Sequence, residues 1–105
     1  MNKYHAKRTY SPLCNREFAS KAEAYRAEEL KMLEMAGEIS SLEYQPKYVL
    51  CNDPKITYTA DFRYMEDGKM VIEDVKGVLT RDTRTKLAWV KEKYNISVIL
   101  SGGNR

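Results

Sequence analysis

The spacing of apolar residues predicts a helix near the start of the chain. From about residue 20 to 36 the pattern is helical, Ser20 is a favourable N-cap, and Glu23 follows at capping-box spacing. Gly37 supplies the stop, because glycine readily adopts the left-handed conformation that ends many helices.

A second helix is predicted in the C-terminal third, over TRDTRTKLAWVKEKY. Leu87, Val90 and Tyr94 recur there at helical spacing, and either Thr80 or Asp82 can cap the N-terminus. After it, ISVIL predicts a short buried strand and SGGNR a frayed tail.

Strand patterns fill the region between the two helices. ISSLEYQPKYVLC predicts a strand from about Leu42 to Cys51, bent at Pro46 because proline cannot donate to a central ladder. After a turn at NDPK, the β-branched and aromatic segments ITYTADFRYM and KMVIEDVKG predict two strands. Asp67-Gly68 between them is a strong signal for a tight hairpin.

This order of elements predicts an α/β fold. A helix, three strands, a helix and a strand imply a mixed sheet flanked by helices, with a right-handed crossover through the second helix. The chain has 105 residues, enough for one hydrophobic core. We therefore expect a single domain over residues 1–105.

The hairpin brings two carboxylates together. A two-residue loop at Asp67-Gly68 places Asp61 directly opposite Asp74, and like charges at such positions destabilise a sheet unless something compensates. Because strand side chains alternate, Lys76 shares the face of Asp74, whereas Glu73 projects to the other face.

Such a face suits metal-assisted chemistry. Two carboxylates can hold Mg²⁺, which prefers oxygen ligands, and a lysine can act on the attacking water and offset phosphate charge. Asp61, Asp74 and Lys76 thus suit phosphodiester hydrolysis. The alternative is a structural network of ion pairs among these residues and Arg63.

Glu23 has two interpretations that do not exclude each other. On the helical wheel it lies within an apolar arc formed by Ala24, Ala27, Leu30 and Leu33, which places it toward the core and a site. As the third residue of a capping box it also has a purely structural reason to be there.

Charge distribution adds a candidate partner. A net charge of +3 and a pI near 8.8 are compatible with nucleic acid without indicating it. Basic residues cluster in an N-terminal arm (about 1–16) and in the second helix, where they could hold DNA phosphates or simply form solvated faces. The candidate DNA contacts are Lys3, His5, Lys7, Arg8, Arg81, Arg84 and Lys86.

Composition sets the expected compartment. No segment is apolar enough to span a membrane, and no apolar stretch follows the basic N-terminus as in a secretory signal. Cys14 and Cys51 form no CxxC pair, so we expect a reducing, cytoplasmic setting.

The joint pattern resembles the PD-(D/E)xK, or restriction-endonuclease-like, nuclease superfamily. Glu23 on the first helix, Asp61 on one strand and Asp74-Val75-Lys76 on the next match its order of motifs. FASKAEAYRAEELKMLEMAGEISSLEYQP, YTADFRY and EDVKG are similar to small phage and prophage proteins placed in that superfamily. Ala60 stands where proline is usual, and Asp74 where glutamate is commoner.

The resemblance implies a role for each matching residue. Asp61 and Asp74 would bind Mg²⁺, or Mn²⁺ in its place, together with the Val75 carbonyl. Lys76 would position the attacking water, and Glu23 would orient a metal-bound water or a second ion. Gln45 lies near a position where related proteins carry a glutamine, and is a candidate contact.

The expected function is therefore a Mg²⁺-dependent endodeoxyribonuclease that acts as a homodimer. Branched or junction DNA in phage DNA metabolism is a candidate substrate, as for Holliday junction resolvases. Two alternatives remain open at this point: a non-catalytic DNA-binding or interaction module that retains the nuclease fold, and a structural phage protein.

Overall fold

The computed structural model describes residues 7–76 and 79–102 of the chain. Two helices and a mixed sheet of strands occur in these ranges, which confirms the predicted α/β class. In order they are β1 (Thr9–Ser11), β2 (Arg16–Phe18), α1 (Lys21–Met35), β3 (Ser40–Tyr44), β4 (Lys47–Asn52), β5 (Lys55–Thr59), β6 (Phe62–Glu66), β7 (Lys69–Lys76), α2 (Arg81–Tyr94) and β8 (Val98–Gly102).

A four-stranded mixed sheet forms the centre, in the order β3-β6-β7-β8. β6 pairs antiparallel with β3 and β7, whereas β7 and β8, which α2 connects, run parallel. Two antiparallel ribbons, β1-β2 and β4-β5, complete the described strands. The mixed sheet was predicted, but the β1-β2 ribbon within the basic N-terminal segment was not.

Both helices begin at the predicted caps. The Ser20 hydroxyl accepts the Glu23 N–H at 3.1 Å, and Thr80 rather than Asp82 caps α2 by accepting the Thr83 N–H at 3.2 Å. Each bond satisfies a backbone donor that the helix itself leaves unpaired. Neither helix in the described ranges is long and apolar enough to cross a membrane.

The β6-β7 hairpin has the predicted two-residue turn. Glu66 pairs with Lys69, and the same register continues to Phe62 and Glu73. Asp67 and Gly68 have φ angles of 52° and 76°. Two successive positive φ angles are typical of the type I′ turn, whose twist matches that of the strands.

Two segments were each predicted to form one strand, and this prediction was wrong because each segment forms two strands. The predicted strand from Leu42 to Cys51 divides into β3 and β4 at Gln45 and Pro46, and ITYTADFRYM divides into β5 and β6. The interruptions lie side by side: the Ala60 N–H donates to the Pro46 carbonyl at 3.0 Å. Both strands leave the central sheet together, so β4 and β5 form a ribbon of their own.

Two apolar clusters cover the two faces of the sheet. On the α1 face, Phe18, Ala27 and Leu30 pack with Phe62 and Tyr64. On the opposite face the β4-β5 ribbon and α2 pack against β7, through a cluster that contains Tyr48, Leu50, Tyr58, Ile72 and Val90. The interruption of the strands therefore supplies the cover for the second face.

The last strand differs from its prediction. ISVIL was expected to be buried, but Ile99 and Leu100 are 48% and 43% exposed. β8 is an edge strand with β7 as its neighbour, and it extends to Gly102, into the predicted tail. An apolar run alone does not distinguish a central strand from an edge strand.

Candidate active site

The charged residues of β7 project to opposite faces of the sheet. Val71 and Val75 pack in the cluster beneath α1, whereas Ile72 packs in the cluster on the other face. Lys76 shares the second face with Asp74, and its Nζ lies 3.8 Å from Asp74 Oδ2. The alternation expected from the strand is therefore present.

Asp61 lies opposite Asp74, in the interruption between β5 and β6. The Asp61 N–H donates to Asp74 Oδ1 at 2.8 Å, and the Val75 N–H donates to Asp61 Oδ2 at 2.7 Å. The ladder ends one step earlier, at Phe62 and Glu73. The structure thus brings the two carboxyl groups together through reciprocal bonds to each other's strands.

Tyr58 holds the remaining oxygen of Asp74. Its hydroxyl donates to Asp74 Oδ2, and Tyr58 is 5% exposed within the second cluster. Burial raises the pKa of Tyr58, as does the bond to Asp74, so the hydroxyl keeps its proton. In one continuous strand Tyr58 and Asp61 would face opposite sides, so strand periodicity could not have found this partner.

Glu23 completes a cluster of three acidic side chains. It is 6% exposed on α1, and burial followed by the charge of Asp74 raises its pKa. Burial, then the charges of Glu23 and Asp74, raises the pKa of Asp61 to about 8. The charges of the three carboxyl groups therefore act on one another, although the residues come from three separate segments of the chain.

Within residues 7–76 and 79–102, three basic side chains bring positive charge to Glu23. Arg16, Lys76 and Arg8 each act to lower the pKa of Glu23, against the effect of burial. Arg16 is a residue that sequence analysis did not assign to the site. Its only sequence signal was its place in the basic N-terminal segment, which does not distinguish it from its neighbours.

Glu73 lies on the opposite face and has a structural role. It is fully buried, and it accepts bonds from Arg26 at 2.6 and 3.1 Å and from the Tyr64 hydroxyl at 2.7 Å. Burial alone would raise its pKa, but the bonds from Arg26 and Tyr64 contribute to a net decrease. This buried ion pair joins α1 to β7.

Arg63 does not join the acidic cluster, contrary to the proposed ion-pair alternative. Its guanidinium binds Glu43 at 2.7 and 2.9 Å and donates to the Tyr48 hydroxyl at 2.9 Å. Of the two basic residues in the predicted ion-pair network, Lys76 is the one that contacts Asp74.

The predicted DNA contacts differ in their surroundings. Lys3 and His5 lie outside the described residues. Lys7, Arg81 and Arg84 are exposed, whereas two of the predicted contacts form exposed or partly exposed ion pairs: Arg8 with Glu17 at 2.9 Å, and Lys86 with Asp82 at 3.7 Å.

Gln45 is exposed at the strand interruption beside Asp61. Its φ angle is 56°, and its N–H donates to the Asp61 carbonyl at 2.9 Å. This backbone bond fixes the main chain that carries Asp61. The structure therefore gives Gln45 a place next to the acidic cluster.

A groove of about 510 Å³ lies beside the acidic cluster, along α1. It contains none of the three acidic side chains and reaches the cluster at Val75. Its lining is Lys21, Ala22, Tyr25, Arg26, Val75, Ser101 and Gly102. The groove is therefore separate from the three carboxyl groups of the acidic cluster, which remains the candidate site.

The donor set of the acidic cluster fits a hard cation. Within residues 7–76 and 79–102 no three acidic, histidine or cysteine side chains are already arranged as metal ligands. Asp61 and Asp74 nevertheless offer two adjacent carboxylates, the number by which Mg²⁺ is often held alongside water and phosphate oxygens. Burial, followed by the charges of Glu23 and Asp74, raises the pKa of Asp61, and a nearby cation would favour its charged form.

A family model described as "Protein of unknown function (DUF1064)" matches residues 1–100. The chain belongs to the DUF1064 family. The DUF1064 match includes both helices and each residue of the acidic cluster. No curated protein and no solved structure matches the chain significantly.

Proposed function

We propose that this protein is a metal-dependent endodeoxyribonuclease of the PD-(D/E)xK type that hydrolyses DNA phosphodiester bonds. The observation that carries the proposal is the reciprocal arrangement of Asp61 and Asp74, with Lys76 3.8 Å from Asp74. Asp61, Asp74 and Lys76 are the residues by which the sequence resembles the PD-(D/E)xK motif.

The acidic pair would hold the metal. Asp61 and Asp74, helped by the Val75 carbonyl, would bind Mg²⁺ or Mn²⁺, and a bound cation would supply positive charge for the phosphate oxygens. The Tyr58 hydroxyl and the Asp61 N–H fix the Asp74 carboxylate, so its position does not depend on the cation. Preorganisation of this kind lowers the cost of forming the site.

Lys76 and Glu23 would act on the water and the phosphate. The Lys76 side chain is 31% exposed, so its ammonium can meet a solvent-borne substrate while remaining near Asp74. It would orient the attacking water and offset charge that develops on the phosphate. Glu23, whose pKa burial raises, would accept or hold a proton at the same water.

The surrounding basic residues would bind the DNA backbone. Lys7, Arg8, Arg81 and Arg84 are exposed, and Arg8 is near enough to act on Glu23. We place the protein in the cytoplasm of a phage-infected host, acting as a homodimer so that two sites can cut two strands. Branched or junction DNA is the proposed substrate.

The decisive test is cleavage by site variants. Wild-type protein should cleave at least one of linear, nicked, flap and four-way-junction DNA when Mg²⁺ or Mn²⁺ is present, and EDTA should stop the reaction. Asp74→Ala and Lys76→Ala should each abolish cleavage, while circular dichroism shows that they remain folded. Equal cleavage by the wild type and both variants would sink the site assignment.

A non-catalytic DNA-binding module is the second candidate. The observation that favours it is that protein donors already engage both Asp74 oxygens and Asp61 Oδ2. Calorimetric titration with Mn²⁺ separates the two functions. Absence of binding, together with DNA affinity that EDTA leaves unchanged, would support the non-catalytic module.

A further inference from the structure

Arg16, on β2, rests on a platform of two aromatic rings. Its guanidinium carbon lies 4.6 Å from the ring centre of Tyr44 and 5.6 Å from that of Phe18. The two rings pack edge to face at 5.7 Å, and Tyr44 also packs against Phe62 at 6.1 Å. Because Phe18 and Phe62 belong to the core, the platform fixes the guanidinium in place.

The donors of Arg16 have no partner among the described residues. The side chain forms no hydrogen bond or ion pair there, and its Nε is buried. The two Nη groups of Arg16 have no partner among the described residues either, but they are not buried and the residue is partly exposed, so these terminal donors are the ones that a partner from outside the chain can reach.

The position of Arg16 indicates what that partner is. Its charge acts on Glu23, yet the two side chains form no ion pair within the described structure. Arg16 stacks on Tyr44, and the next residue, Gln45, donates its N–H to the Asp61 carbonyl at 2.9 Å, so the platform adjoins the main chain that carries Asp61. A fixed guanidinium with unused donors suits a planar or bidentate contact with a phosphate group.

We propose that Arg16, held on Tyr44 and Phe18, forms a phosphate-binding subsite for the DNA backbone, next to the phosphate that is cut. This subsite rests on the proposed nuclease function, which supplies the substrate. It fixes the DNA strand relative to Asp61 and Asp74 through one charged contact that carries no sequence information.

Three variants test the subsite. Arg16→Met keeps an apolar stem on the rings but removes the charge, and Arg16→Lys keeps the charge but loses the planar fork. Lys69→Ala is the matched control, because it removes the same charge from an exposed position at the opposite end of β7. Circular dichroism melting checks that each variant is folded.

Binding is measured by fluorescence anisotropy with a labelled four-way DNA junction in EDTA, so that cleavage plays no part. Arg16→Met should weaken binding about tenfold or more, as expected for a lost charge-assisted hydrogen bond. The slope of log affinity against log salt concentration should become shallower by about one, which corresponds to one lost phosphate contact. Arg16→Lys should fall between the wild type and Arg16→Met, and Lys69→Ala should stay within about twofold of the wild type.

The phosphate itself is located with junctions that carry a neutral methylphosphonate at one position at a time. At a single position the difference between wild type and Arg16→Met should disappear, because the charge that Arg16 contacts is already gone. If Arg16→Met does not fold, the same comparison with Arg16→Lys decides.

Equal binding by wild type and both Arg16 variants would overturn the subsite, as would a loss that is the same at every methylphosphonate position or an absence of junction binding. Because the assay does not need cleavage, the two proposals fail separately. An intact Arg16 effect without metal-dependent cleavage refutes the nuclease alone, and normal cleavage without an Arg16 effect refutes the subsite alone.

Discussion

Replacement of Asp61 by asparagine should change how stability depends on pH. Burial and the charges of Glu23 and Asp74 raise the pKa of Asp61 from 3.8 to about 8. Between these values the folded protein retains a proton on Asp61 that the unfolded chain has released. Asparagine is neutral at every pH, and its oxygen can still accept the Val75 N–H.

The sign and magnitude follow from proton linkage. A carboxyl group with a raised pKa contributes stability that is fully present below its unfolded pKa and is lost as the pH rises through its folded pKa. One proton corresponds to about 1.4 kcal/mol per pH unit. Between about pH 5 and about pH 7, wild type should therefore lose about 3 kcal/mol of unfolding free energy relative to Asp61→Asn.

Urea denaturation in EDTA at the two pH values gives the required free energies. Asp82→Asn is the control, because that side chain is 80% exposed on α2 and its replacement should leave the pH dependence unchanged. Mg²⁺ at ten times its dissociation constant should return about 1.4 kcal/mol to wild type at pH 7 and nothing to Asp61→Asn. If wild type and Asp61→Asn lose the same free energy between the two pH values, the reasoning about the acidic cluster is wrong.

Three further predictions concern stability at neutral pH, measured by urea denaturation. Arg26→Ala should cost about 3–5 kcal/mol because it leaves Glu73 charged and buried, and the double variant Arg26→Met, Glu73→Gln should recover part of that loss. Tyr58→Phe should cost about 1.5–3 kcal/mol by removing the donor to Asp74, and a cost below about 0.5 kcal/mol would argue against that bond. Ser20→Ala should cost about 1 kcal/mol through loss of the α1 cap, whereas Ser20→Asp should retain most of it.

Local chemistry accounts for the elements that were predicted correctly. A cap and the N–H that it accepts are three residues apart at Ser20 and at Thr80, and the turn at Asp67-Gly68 needs positive φ angles at adjacent positions. These interactions close within a few residues, so the sequence contains all of their determinants. The opposition of Asp61 and Asp74 follows from the same turn.

The interruptions in the strands could not be obtained in this way. Pro46 indicated a bend, but the change of sheet also involves Ala60, between β5 and β6, whose N–H donates to the Pro46 carbonyl. That contact lies between residues far apart in sequence, as does the bond from Tyr58, on the interrupted strand, to Asp74. Likewise, whether an apolar strand such as β8 is central or at an edge depends on whether another strand pairs with its free side.

The sequence by itself therefore determined the helices, the hairpin and the side of β7 on which each charge projects. Tertiary structure decided which partners those charges have: Tyr58 for Asp74, Arg26 for Glu73, and the acidic side chain of Glu23 for Asp61. The physical reason is that alternation and capping are properties of the local backbone, whereas burial, pKa and hydrogen-bond partners arise only when distant segments pack together.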